Sequence, residues 1–181
     1  FAGAIWIGGE DEGVLKLAAM TYRQSGSDFW PGPLDNVTGN TNEVRCEAYD
    51  NIYKIERDEM LEWFDDFENN NFTNLPENMQ LWPAESSSVL EGDINISRYL
   101  APFFDANGDY AYNPIDGDYP VLQTECRGVP ISADKNEPAD QPDQMLWFVY
   151  NDKGNIHSET QGQAIGLEMQ TTAFAYKTKS E

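Results

Sequence analysis

The chain has 181 residues, 40% apolar and 13% aromatic, enough for one domain or a large piece of one with a substantial core. Its 32 acidic residues against 11 lysines and arginines leave a net charge of −21. Such a surface repels phosphate backbones and anionic headgroups, which argues against nucleic-acid and membrane-surface binding, and no apolar run is long enough to span a bilayer.

The chain opens on Phe1 rather than Met, and Phe1-Ala-Gly-Ala-Ile-Trp6 reads as a strand entered mid-stride. The expectation is therefore an internal or processed piece of a longer protein. Residues 2–8 and 14–22 read as a hairpin, with Gly8 to Gly13 as its turn. Residues 23–42 carry three glycines and two prolines and are expected to form a long irregular loop. A strand is expected around Tyr49–Ile55. Arg57 to Glu68 is the one helix the periodicity supports, with Met60, Leu61, Phe64 and Phe67 as its apolar stripe. Pro76 to Leu81 reads as a helical turn, and residues 84–98 as a polar connector.

The connector leads to Phe103-Phe-Asp105-Ala-Asn107-Gly-Asp109-Tyr-Ala111-Tyr-Asn113-Pro-Ile-Asp116-Gly-Asp118-Tyr-Pro120. Counting from Asp105, oxygen-bearing side chains stand at positions 1, 3, 5, 9 and 12, and Ala111 can offer its carbonyl at position 7. A hard divalent cation takes six to eight oxygens at roughly 2.3–2.6 Å, so the spacing predicts a calcium site made of Asp105, Asn107, Asp109, Ala111, Asn113 and Asp116. Tyr110 holds the sixth position, where such loops ordinarily use Gly for a left-handed bend. Pro114, Gly117 and Pro120 forbid an exiting helix, so the loop is expected to be a clip between strands over residues 103–120. Without a cation, Asp105, Asp109, Asp116 and Asp118 would repel one another.

After the clip, residues 121–142 read as loop. Met145 to Tyr150 has the bulk of a central strand, and Asn151-Asp-Lys-Gly154 is expected to turn it into a hairpin. Gly166 to Lys177 reads as a long final strand with no partner left in the chain. The expected fold is mainly β: a jelly-roll-like β-sandwich with one amphipathic helix and long loops, a single β-rich domain or part of one.

Catalytic signatures are absent from the sequence: there is no nucleophile elbow, zinc-protease motif or phosphate-cradling glycine loop. His157 is the only histidine, and on a strand it would share a face with Glu159, with Glu168 following, a place for a second metal site or an acid/base pair. Trp30 and Trp82 are candidates for stacking on sugar rings or, alternatively, for core packing. Cys46 and Cys126 match no metal spacing; one long-range disulfide and two buried thiols are both open.

Taken together, Ala4-Ile-Trp-Ile-Gly-Gly9, Thr21-Tyr-Arg-Gln-Ser-Gly-Ser-Asp-Phe-Trp-Pro-Gly-Pro-Leu34, Leu100-Ala-Pro-Phe103 running into the acidic loop, Gly117-Asp-Tyr-Pro120, Trp147-Phe-Val-Tyr-Asn-Asp152, Gly154-Asn-x-His157-x-Glu-Thr160, Gly166-Leu-Glu-Met-Gln170 and Ala173-Phe-Ala-Tyr176 follow one another in a familiar order. In that order they resemble a region of large surface and secreted proteins of Bacteroidota exported by the type 9 secretion system. The loop itself is similar to the calcium loops of dockerins and thrombospondin type 3 repeats. The resemblance implies a location at the cell surface or outside the cell, and no defined reaction. The function expected is a non-enzymatic, calcium-stabilised extracellular module acting in adhesion, surface assembly or gliding. Its partners would be other surface proteins or further domains of the same parent chain. A calcium-dependent carbohydrate-binding module of a secreted polysaccharide-degrading enzyme, with glycans as partners, is the alternative, and a hydrolase using Glu159 or Glu168 a third.

Overall fold

The computed structural model describes residues 3–21, 26–69, 75–84, 100–122 and 138–177. Cys126, nearly all of the connector expected over 84–98 and much of the loop expected over 121–142 lie outside them. The elements in chain order are β1 (Trp6–Asp11), β2 (Val14–Ala19), β3 (Trp30–Pro31), α1 (Glu43–Tyr49), β4 (Tyr53–Glu56), α2 (Arg57–Glu68), α3 (Glu77–Gln80), β5 (Phe103–Phe104), β6 (Tyr119–Pro120), β7 (Gln144–Asn151) and β8 (Glu168–Ala175). The described chain is mainly β, with several antiparallel pairings. It divides into two compact units: described residues up to 51 with 149–170, and 52–148 with 171–177.

In the first unit, β1 and β2 pair from Trp6↔Ala19 to Asp11↔Val14. The turn is therefore shorter than the glycines suggest. Glu12 and Gly13 have φ of 50° and 78°, the two-residue geometry whose twist matches the flanking strands, so Gly8 to Asp11 remain in the ladder. Leu17 passes close over Gly8, and a Cβ there would meet its Cδ2 at 2.6 Å. The strand expected around Tyr49–Ile55 is shorter, β4 covering Tyr53–Glu56, because residues 43–49 form a helix that includes Tyr49. The reason is local: Asn42 is an N-cap whose side chain accepts the Arg45 N–H at 2.9 Å. Arg45, Cys46 and Tyr49 are the helix's buried residues. β3 pairs with the second half of β7, Trp30↔Asn151 and Pro31↔Tyr150.

In the second unit, β4 pairs with the first half of β7, from Tyr53↔Trp147 to Glu56↔Gln144. Along β7 burial alternates with the pleat, Met145, Trp147, Val149 and Asn151 being buried. Helix α2 starts from a capping box in which Glu56 and Glu59 each bond the other's backbone. Its stripe differs from the expected one. Leu61 is 38% exposed, whereas Met60 and Trp63 are buried. The inward set is thus 60, 63, 64 and 67, spaced i, i+3, i+4 and i+7. Trp63 stacks on Phe67 at 5.5 Å between centroids and lies 6.1 Å from Tyr119.

β8 is not left without a partner: it pairs with β7. Nor does Asn151-Asp-Lys-Gly154 lead straight into the next strand. Asn151 Oδ1 accepts the N–H groups of Lys153 and Gly154, and Asp152 accepts those of Ile165, Gly166 and Leu167 at 2.6–2.8 Å. Together these bonds carry the chain across the intervening loop to β8.

Truncating a fully buried side chain loses transfer energy and leaves a cavity. Met60→Ala should cost about 3 kcal/mol in urea unfolding, while Leu61→Ala should stay within roughly 0.5 kcal/mol. The reverse ranking would contradict the inward face assigned to α2.

Candidate metal centre

The acidic loop is closed at its base by β5 and β6, paired Phe103↔Pro120 and Phe104↔Tyr119, so it is a clip between strands as its prolines predict. Phe103 is buried, and Phe104 stacks on Tyr119 at 4.8 Å. These aromatic anchors set the span the loop must cross. Gly117, at φ 103°, ends a single 3-10 turn over Pro114–Asp116, and a Cβ there would meet Phe67 Cζ at 2.9 Å.

Within the loop the predicted ligands fold back on their own backbone. Asp105 accepts the N–H of Gly108 at 2.7 Å through Oδ1 and that of Tyr110 at 2.9 Å through Oδ2. Asn107 Oδ1 accepts the Asp109 N–H at 2.9 Å, and Asp109 Oδ1 accepts the Ala111 N–H at 2.8 Å. Asn113 Oδ1 accepts from Ile115, and its amide donates to Asp116 Oδ2 at 2.6 Å. Gly108 and Tyr110 have φ of 77° and 65°. Tyr110 thus takes the left-handed bend usually given to Gly, at a cost of about 1 kcal/mol. A carboxylate oxygen that takes one N–H keeps a lone pair for a cation. The structure joins Asn107 to Asp109 and Asn113 to Asp116; among the described residues, no group of three or more His, Cys, Asp or Glu is gathered as a metal cluster.

Asp118 has a part that spacing alone did not reveal. It is fully buried, and its two oxygens take the N–H groups of Ala106 at 2.9 Å and Asn113 at 2.8 Å. One carboxylate therefore spans the loop from its second to its ninth position. Burial pushes its carboxyl above the usual range, the two N–H bonds pull the other way, and the charges of Asp105 and Asp109 push it up again. The sequence signal was the Gly-Asp-Tyr-Pro run, whose Asp falls outside the ligand spacing.

Compared with protein-family models, curated proteins and solved structures, the chain matches none.

The other sequence candidates lie elsewhere. His157 is 3% exposed, with Nδ1 2.5 Å from the Leu17 carbonyl and Nε2 2.6 Å from that of Asp152. Both ring nitrogens face backbone carbonyls, and the ring is enclosed. Glu168 accepts the Leu34 N–H at 2.9 Å and the Gln170 amide at 2.8 Å. Trp82 is 4% exposed and donates Nε1–H to the Pro102 carbonyl, so it belongs to the core and not to a sugar platform. Trp30 is half-buried against Gly154, and Trp6 is the exposed tryptophan. Cys46 is buried; burial, with help from Asp50 and Glu47, pushes its thiol up. A bridge to Cys126 lies outside the described residues.

Asp28 is buried beside His157 and accepts four hydrogen bonds, from the N–H groups of Ala19, Glu159 and Thr160 and from the Thr160 hydroxyl. Burial pushes its carboxyl up, and the hydrogen bonds outweigh it, so the group sits below its usual range. A lowered acid adds stability above its unfolded pKa and loses it as pH falls through the folded value. Asp28→Ala should cost about 3 kcal/mol at neutral pH by stranding buried donors. Asp28→Asn should reduce the steepness with which stability falls in acid. Melts of the two variants from neutral pH into acid check both outcomes.

Proposed function

We propose that the chain is a non-enzymatic, calcium-stabilised module of a bacterial surface or secreted protein, acting in adhesion, surface assembly or gliding. One observation carries the reading: Asp105, Asn107 and Asp109 each bend back to a backbone N–H ahead of them, with left-handed Gly108 and Tyr110 in between. The side chains of Asp105, Asn107, Asp109, Asn113 and Asp116 and the carbonyl of Ala111 would hold the ion. Calcium would supply no reaction step; its chemistry there is charge neutralisation and cross-linking. It offsets the repulsion among acids in a chain of net charge −21. We read the strands as parts of a jelly-roll-like sandwich, and the partners as other surface proteins or further domains of a parent chain.

The resemblance to type 9-secreted proteins of Bacteroidota supports the location. The carbohydrate-binding alternative draws less support, since Trp82 is committed to the core and Trp30 to Gly154.

Calcium at a hundredfold excess over its Kd adds about 2.7 kcal/mol to the folded state. For a chain of this size the Tm should rise by about 5 to 10 °C relative to EDTA. Asp109→Ala should abolish most of that difference. Identical melts of the parent chain with calcium and with EDTA would overturn the proposal, and saccharide binding on a glycan array would favour the alternative.

A further inference from the structure

Asn107-Gly108 is the one Asn-Gly step in the sequence, and both residues are exposed. Glycine leaves its backbone nitrogen unshielded, and a Cβ on Gly108 would meet nothing within 4 Å. The nitrogen that would attack the Asn107 side chain is the one Asp105 holds: the Gly108 N–H donates to Asp105 Oδ1 at 2.7 Å. The amide to be attacked is held as well, its oxygen taking the Asp109 N–H at 2.9 Å and its nitrogen donating to Asp109 Oδ2 at 3.0 Å.

The geometry points to Asn107 as a latent deamidation site whose reaction is restrained by the carboxylate of Asp105. In the reaction the Gly108 nitrogen loses its proton to hydroxide and attacks Cγ of Asn107. A nitrogen–carbon bond forms and closes the succinimide ring, the side-chain carbon–nitrogen bond breaks, and the departing NH2 takes a proton from water and leaves as ammonia, returning the hydroxide. Water then opens the ring to aspartate or isoaspartate. One amide is exchanged for one carboxylate, and nothing is oxidised or reduced.

Asp105 opposes the first step in two ways. Its hydrogen bond stabilises the protonated nitrogen, and its charge disfavours an anion formed beside it. The aspartate product would add a charge to the acidic loop; the isoaspartate product would lengthen the backbone between two Asx turns. The inference concerns the cation-free loop, in which Asp105 holds the Gly108 N–H, so the ageing is carried out in EDTA.

The whole chain is aged at mildly alkaline pH, folded and in urea, and residue 107 is followed by peptide mass spectrometry that separates aspartate from isoaspartate. Losing one charge-assisted hydrogen bond corresponds to about tenfold in rate. Asn107 in the folded chain should therefore react at least about tenfold more slowly than in urea, and Asp105→Ala and Asp105→Asn should each recover most of that factor while folded. Asn107→Gln should remove the signal. Equal rates in the folded and unfolded chain, or folded Asp105 variants no faster than the parent, would overturn the inference. Should both variants prove unfolded by circular dichroism, the folded-to-urea ratio of the parent chain decides alone.

Discussion

Buried aspartates that accept backbone N–H groups hold this protein together where regular structure does not. Asp28, Asp118 and Asp152 are each almost fully buried, and each takes two or more N–H groups from loop segments. Asp143 does similar work in the second unit, binding the Arg57 guanidinium and the Lys177 N–H. A charge leaves water only where fixed donors replace its hydration, and a loop supplies such donors because its N–H groups have no ladder to join. The two needs answer each other: the loops are ordered and the charges are solvated by backbone.

This arrangement also changes what the acidity of the chain means. Part of its charge is structural and faces inward. The acidic loop combines both uses. Asp118 sits beneath it as a buried staple, and Asp105 and Asp109 lie nearer the surface with backbone bonds that leave lone pairs open. Hard-cation coordination is the chemistry such oxygens suit, whereas His157, with its nitrogens against the carbonyls of Leu17 and Asp152, is a brace between β2 and the turn after β7.

Much of the secondary structure was legible because it repeats locally. The bulky run of β7, the opening hairpin, the helix at 57–68 and the strand-flanked acidic loop could all be read from short-range pattern. Local pattern misleads where it is ambiguous or absent. Glycines at 8 and 9 resemble a turn in the sequence because nothing local shows Leu17 lying across Gly8 or both residues pairing in the ladder. By spacing Leu61 fits an apolar face as well as Trp63 does, and the packing of Trp63 on Phe67 and near Tyr119 selects between them. The helix at 43–49 rests on one capping asparagine, a weak mark in a chain rich in asparagine.

The spacing of oxygens from Asp105 to Asp116, the strands flanking them and the excess of acid were determined by the sequence alone, since each depends on neighbours a few residues apart. Which acids are buried, that β8 lies along β7, and that Asp118 ties two ends of one loop were decided only in the tertiary structure. Those choices depend on which groups the folded chain brings to each carboxylate and strand edge, and a linear pattern carries no record of that meeting.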